Sequence, residues 1–414
     1  MSRAIAGPAS LVAVALAGRT LGVVLFGVLV LINSCAQLVS GLAKFQSWQL
    51  VVQYGGKVLS GGDPAQFRRS VGFALGLDLL GSAAAALIAL ALLPLAAERF
   101  GIPPRYVGAT LLYCTLLPTM VPATATGVLR SLDRFDLIAW QGTIAPVARA
   151  AMVVVAWAAR APFDVFLAIW YLSVASGAVF GWFLAWRELR RRDLVRGIRP
   201  TLRSGPLTGA WRFALNVNVN SGLASVSGPL ARLLVGALLG PVGAAFYRIA
   251  SAITGAIDKP TDLVAKAFYP EVARMDPATR RPWRLMARSA ASAGLLAMIA
   301  VILLIAFGKP FIGLIFGPDF AGAYPPLVVL ALIPLLGTIS FPIPWMLYAL
   351  DRPQGPALAR LACVLVYLSA IAPLTWEYGL VGAATALVAG EATRVLVMGF
   401  MLRREYRRLR VQPA

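Results

Sequence analysis

The chain has no histidine, only three cysteines and little charge: Asp, Glu, Lys and Arg make up 13% of its 414 residues, against about 25% in a typical soluble domain. Acidic residues are scarcer still, 17 against 38 Lys and Arg, for a formal net charge of +21. Each shortage excludes something. Without histidine, and with Cys35, Cys114 and Cys363 scattered through apolar stretches, there is no thiol–imidazole constellation for zinc, for a nucleophilic site or for a disulfide framework. No metal or cofactor is expected. No loop is long enough to form a folded basic domain, so the positive charge does not signal nucleic acid.

What is abundant is apolar sequence: 59% of residues are hydrophobic and the mean hydropathy is +0.77. Stretches such as Val71 to Leu95 and Ser289 to Phe307 carry at most one charge each. About 20 apolar residues cross the hydrocarbon of a bilayer as a helix, whereas a β-barrel shows short alternating segments. The expectation is an all-α polytopic membrane protein with helices near 4–18, 20–43, 71–97, 107–128, 138–159, 164–186, 211–231, 240–262, 286–307, 325–350, 356–375 and 379–402. The stretch after Arg3 lacks a clear cleavage site and reads as a short first helix, or as one shortened by a late start.

Twelve spans place 29 of the 38 Lys and Arg on one side of the membrane and six on the other, leaving Arg149, Arg248 and Arg394 inside spans. Cytoplasmic loops hold the excess of Lys and Arg, so both termini are expected in the cytoplasm. The longest basic connection, Arg187 to Arg212, divides the chain into a six-helix half over 1–186, a linker over 187–212 and a second half with a basic tail over 213–414. Internal matches support a repeat: GRTLG at 18–22 with GALLG at 236–240, Arg69-Ser70 with Arg288-Ser289, and Phe100-Gly101 with Phe316-Gly317. The offsets, 218, 219 and 216, agree within three residues. Two-lobe transporters place their substrate between such repeats.

Four segments carry a family resemblance: GKPFIGLIFGPDF at 308–320, GVLRSLDRFD at 127–136, LLVGALLGPVGAAFYRIAS at 233–251 and YGLVGAATAL at 378–387. Together, and in their order along the chain, they resemble the bacterial polysaccharide-biosynthesis flippases of O-antigen type, within the multidrug/oligosaccharidyl-lipid/polysaccharide exporter superfamily. The resemblance implies two pseudo-repeated six-helix bundles around a central cavity in the cell inner membrane. The implied substrate is an undecaprenyl-pyrophosphate-linked oligosaccharide, and a glycan polymerase and chain-length regulator are implied partners. The chain departs from the family in having only 17 residues before Gly18.

An anionic head crossing hydrocarbon is eased by cations within the bundle. Arg149 and Arg248 are the leading substrate-binding candidates, because an intramembrane Arg is costly unless it faces a partner or a wet cavity and its planar fork suits pyrophosphate. The bland alternatives are snorkelling or a structural ion pair. Arg19 and Arg232, at matching ends of spans 1 and 7, rank lower. Asp78, the lone carboxylate of its span, either finds an Arg or carries a proton, with a structural ion pair as the bland reading. Glu391 and Arg394, three apart on one helical face, read first as a local pair and second as a coupling-ion site. Asn216, Asn218 and Asn220, with Asn33 and Gln37, either bond across helices or contact sugar hydroxyls. Pro118 and Pro122, and Pro334, Pro342 and Pro344, bend or break their helices. The basic loops at 187–212 and 259–288 attract anionic phospholipids.

Competing readings fare worse. A membrane-embedded polymerase or acyltransferase needs acid–base residues at one face, and only Glu98, Asp164, Asp319 and Glu377 lie outward. A cation-coupled multidrug exporter is expected to carry more carboxylates and fewer arginines. GGKVLSGGDPAQFRR at 55–69 faintly resembles a major-facilitator loop, but its spacing and the missing Gly before the Arg pair argue against that family. A purely structural scaffold stays open.

Overall fold

In a computed structural model the described residues are mostly helical, with no strand among them. The structure describes residues 2–56, 63–116, 123–205, 207–275, 279–350, 352 and 354–411. The helices are α1 Ser2–Ala43, α2 Ser47–Gly55, α3 Pro64–Ala96, α4 Val107–Cys114, α5 Ala123–Ser131, α6 Phe135–Ala158 and α7 Phe163–Arg191. After a non-helical stretch come α8 Ala210–Ala273, α9 Arg280–Phe316, α10 Tyr324–Leu330, α11 Leu332–Ser340, α12 Pro342–Ala349 and α13 Gln354–Val411.

Local chemistry starts and stops these elements. Asp63 caps α3, accepting from the Ala65 amide at 2.7 Å, with Pro64 at the first helical position, where its missing N–H costs nothing. Gly317, at φ 105°, ends α9, and a short 3-10 helix over Pro318–Ala323 follows. The expected span near 325–350 is broken at Ala331 and Phe341. Pro334, Pro342 and Pro344 remove the amides that would have bonded back across those points. Pro118 and Pro122 lie outside the described residues.

Eight helical segments among the described residues are long and apolar enough to cross a membrane. Their outward faces agree: Leu87, Leu90, Leu95, Leu296, Leu314, Trp376 and Phe400 are each more than 60% exposed. Water would penalise that surface by roughly 25 cal/mol per Å², whereas lipid does not. Inside, small side chains take over. Ala13, Ala17, Ala36, Ala74, Ala85, Ala244, Ala245, Ala383 and Ala386 are fully or almost fully buried, as expected where association depends on close packing rather than on the hydrophobic effect.

Three of the longest helices are interrupted by a single glycine in the left-handed region: α1 at Gly22 (φ 69°, ψ 173°), α8 at Gly240 (φ 69°, ψ −172°) and α13 at Gly379 (φ 57°). The expected boundaries near 19 and between 231 and 240 therefore shift. The helix runs on to Gly22 and to Gly240, where glycine takes a positive φ without a Cβ clash.

The positions of these breaks bear on the repeat. Gly22 and Gly240 are the ends of the matched GRTLG and GALLG segments and share one conformation. Gly101 (φ 79°) and Gly317 (φ 105°) are the matched glycines at an offset of 216. A third pair emerges: Arg160 (φ 49°) stands 219 residues before Gly379 (φ 57°). Left-handed turns recur at two of the sequence-matched positions, and at a further pair of similar offset that no sequence match marked the first half carries an arginine instead of glycine.

The chain divides into two compact units, Met1–Ala237 and Leu238–Ala414. The first has a core of Leu50, Phe67, Phe73, Leu129, Leu189 and Leu207, drawn from α2, α3, α5, α7 and the stretch before α8. That stretch, expected as a loop, is a strap laid on α3. The Thr201 amide donates to the Gly72 carbonyl at 3.1 Å, Arg68 donates to the Arg196 carbonyl, Tyr54 donates to the Thr208 carbonyl, and Trp211 meets Phe73 edge-on at 5.4 Å. A Cβ on Gly72 would lie 2.5 Å from the Arg199 carbonyl oxygen, and one on Gly76 would strike the Thr201 carbonyl. The second unit is cored by Phe268, Phe341, Met346, Leu347, Ala359 and Met398.

Candidate functional site

The site is built on the seam between α6 and α7, in the first unit. The turn at Arg160 sends α7 back antiparallel to α6, so residues four apart on one helix meet residues four apart on the other. Arg134, just before α6, donates to Glu188 at 2.6 Å, and Glu188 is only 3% exposed, with Arg191 and Arg192 also on it. One turn on, Leu137 packs against the cluster that holds Ala185. Gln141 fills the space above Gly181, and Ala145 lies over Gly177, where a Cβ would come within 2.9 Å of its own. Next in the register, Arg149 Nε donates to Ser173 Oγ at 2.9 Å. Val153 and Ile169, both buried, close the series.

Arg149 sits about 21 Å along α6, well inside the helix, at 1.5 Å per residue. Its guanidinium lies 5.1 Å from the Trp170 ring centroid and interacts electrostatically with Tyr113. Among the described residues no carboxylate stands within ion-pair distance of it. Tyr113 donates to Asn33 Oδ1 at 3.1 Å and packs edge-on to Tyr171, whose hydroxyl bonds Thr115 at 3.0 Å. On the same helical stretch as Asn33, Ser34 and Gln37 accept from Arg232 of α8 at 2.7 and 2.8 Å. Two arginines from distant parts of the sequence are thus tied, directly or through Tyr113, to residues 33–37.

Beside the seam lies an open groove of about 330 Å³ whose lining joins the apolar Ile138, Ala145, Val174 and Ala178 to the polar Gln141 and Thr126, which share a hydrogen bond.

The other sequence candidates are dispersed. Asp78, partly buried on α3, accepts from Ser47 Oγ at 2.5 Å and from the Thr124 hydroxyl and amide at 2.7 and 3.1 Å, with Lys44 as its electrostatic neighbour. The cation it meets is a lysine, not the expected arginine. Glu391 and Arg394 form a two-point pair at 2.6 and 2.7 Å, each about 15% exposed, and Cys363 also contacts Glu391. Arg248 is half-buried on α8, eight residues past the Gly240 break, and Arg19 is exposed just before the Gly22 break. The side chains of Asn216 and Asn220 lie outside the described residues. Asn218 Oδ1 is buried without a hydrogen-bond partner among them.

Reasoning from sequence singled out Arg149 but missed Ser173, Trp170, Tyr113 and the buried Glu188. Ser173 and Glu188 carry a readable signal: they lie fifteen apart on α7, near four helical turns, with small residues Gly177 and Gly181 between them.

The fold and site define a polytopic, all-helical membrane protein with cations held inside its helices. The polysaccharide biosynthesis protein family model matches residues 70–325. The chain is 39% identical over 316 residues to inner membrane protein YghQ of Escherichia coli (strain K12), covering 76% of this chain and 89% of that one. It belongs to this family. In fold it is similar to an inward-facing multidrug resistance MATE family transporter of the MOP superfamily, at a TM-score of 0.76, 14% identity and 100% and 97% coverage. It is likewise similar to the lipid II flippase MurJ in an inward closed conformation, at a TM-score of 0.76, 10% identity and 99% and 88% coverage.

Proposed function

We propose that the protein is a flippase that carries an undecaprenyl-pyrophosphate-linked oligosaccharide from the cytoplasmic to the periplasmic leaflet of the bacterial inner membrane, for surface polysaccharide synthesis. The reading is transport by alternating access between halves 1–186 and 213–414, joined by 187–212. It takes the eight apolar segments as twelve spans, dividing three at Gly22, Gly240 and Gly379 and adding the one expected near 107–128. Both termini are then cytoplasmic, the basic loops meet anionic phospholipids, and a glycan polymerase and a chain-length regulator receive the product.

The observation that carries this reading is Arg149. A guanidinium inside a span costs about 3 kcal/mol. Here the described neighbours are hydroxyls and aromatic rings, which leave the positive charge uncompensated and suited to a pyrophosphate. Arg232 and Arg248 are proposed as further substrate contacts, with Arg19 at the rim and Asn216 and Asn220 toward sugar hydroxyls. Asp78, or the Glu391–Arg394 pair, is proposed to couple transport to an ion.

A cation-coupled multidrug exporter is the second reading, and the carboxylates weigh against it. Asp78 is engaged by two hydroxyls, an amide and Lys44, and Glu391 by Arg394. The test is a deletion strain. It should accumulate lipid-linked repeat units on the inner leaflet, and purified protein that moves cationic drugs while deletion leaves surface glycan unchanged would reverse the order of the two readings.

A further inference from the structure

Two hydroxyls neighbour the Arg149 guanidinium, and each has its proton committed elsewhere. Ser173 Oγ donates to the Trp170 carbonyl at 3.0 Å, so its oxygen is left to accept from Arg149 Nε at 2.9 Å. Tyr113 donates to Asn33 Oδ1 at 3.1 Å, which leaves the phenol oxygen as an acceptor beside the same cation. Both are fixed in place. Ser173 is fully buried and Tyr113 is 1% exposed, its ring held edge-on by Tyr171, whose hydroxyl is bonded to Thr115.

The rest of the guanidinium is left open. Nε is the one guanidinium nitrogen of Arg149 hydrogen-bonded among the described residues. The two terminal nitrogens carry four of an arginine's five N–H donors, and neither is enclosed by protein. An oxyanion can meet arginine side-on, through Nε and one terminal nitrogen, or end-on, through the terminal pair. Ser173 occupies the first approach and leaves the second. Neither hydroxyl carries a charge, so the cation is held without being neutralised, unlike Arg394 beside Glu391.

We infer that Ser173 and Tyr113 are positioning residues, which aim the terminal nitrogens of Arg149 end-on at an anion. The inference rests on the flippase reading for the anionic cargo and adds to it how the cation is kept aimed. Fixing an arginine costs side-chain rotamer freedom. A guanidinium already fixed by its own protein spares that cost when the anion arrives.

The test uses the full-length protein purified in detergent, with inorganic pyrophosphate as the anion. Phenylglyoxal modifies accessible guanidinium groups, and mass spectrometry of peptic peptides reads the modification at each arginine. Pyrophosphate should protect Arg149 and leave the modification of the paired Arg394 unchanged. Tyr113→Phe removes one oxygen and keeps the ring against Tyr171. It and Ser173→Ala should each raise the pyrophosphate concentration that gives half protection about tenfold, as expected for the loss of one contact to a charged group. Ser173→Thr, which keeps the hydroxyl, should restore the wild-type midpoint. A residue that merely fills space would change the modification rate without pyrophosphate and leave that midpoint where it was. Where the Ser173 variants fail to fold, Tyr113→Phe decides.

An unprotected Arg149 in the wild-type protein, a wild-type midpoint in either Tyr113→Phe or Ser173→Ala, or a midpoint in Ser173→Thr as high as in Ser173→Ala overturns the proposal. The flippase reading fails separately. If deletion leaves surface glycan unchanged while the midpoints shift as expected, the aimed cation stands and serves another anion. If deletion traps glycan inside while pyrophosphate never protects Arg149, the flippase reading stands and the positioning roles fall.

Discussion

Arg149 in the first unit and Arg394 in the second are the same residue type, each within a long apolar helix, and they are treated in opposite ways. Arg394 is neutralised one turn away by Glu391, with two contacts under 2.8 Å. Arg149 has a hydroxyl, an indole face and a tyrosine, and no carboxylate among the described residues. The difference separates a cation that stabilises its own helix from one available to an outside anion. Charge inside a span does not by itself mark a working residue; what accompanies it does.

Each of the following changes breaks or sharpens that contrast. The largest effect is expected from Arg149→Ala, which should abolish glycan export at unchanged protein level, measured by surface glycan staining against immunoblot; normal export would remove it from the mechanism. Arg248→Ala is the parallel test for the second unit. Arg394→Leu should act on stability instead, lowering it by about 3 kcal/mol because the largely buried Glu391 loses its cation and keeps only the Cys363 thiol, whereas Glu391→Leu with Arg394→Leu should recover most of that loss. Denaturant titration in detergent reads both, and a double variant as unstable as the single one would show that the pair does more than neutralise itself.

Ser173→Asp makes the first unit resemble the second by giving Arg149 a carboxylate. Export should fall about tenfold, which is about 1.4 kcal/mol of competition for the guanidinium, with folding intact. Export at the wild-type rate would mean that Arg149 binds no anion during transport. The smallest effect is expected at Arg160, which holds the left-handed turn that Gly379 makes in the second half. Arg160→Gly should raise stability by about 1 kcal/mol, since a side chain in that conformation costs 1–2 kcal/mol. Unchanged stability would show that the arginine side chain offsets the cost.

Much of the fold was legible because membrane insertion writes itself into composition. Apolar runs, basic loops and the glycine-bearing repeats at 18–22 and 236–240 follow from rules that act locally along the chain. The site was legible only in part. Arg149 stood out as a charge in an apolar run, but Ser173 and Tyr113 reach it from two other helices, with Asn33 behind Tyr113, and nothing in the sequence around Tyr113 sets it apart from an ordinary packing residue. Glu188 disappeared into a basic stretch, although its burial among Arg134, Arg191 and Arg192 anchors one end of the seam. The glycine breaks moved the expected ends of spans 1 and 7: α1 runs through Gly18 to Gly22 and α8 through Gly236 to Gly240, so charge and hydropathy did not fix the turn.

The strap over Gly72 and Gly76 has a practical consequence. By charge, residues 187–212 are the obvious place to cut the gene in two or to insert an epitope. In the folded protein, backbone from Arg196 to Thr201 is pressed onto α3 with no room for even a methyl group beneath it. An insertion there has to lift the strap from its seat, so the residues that look most like a tether are a poor point of division.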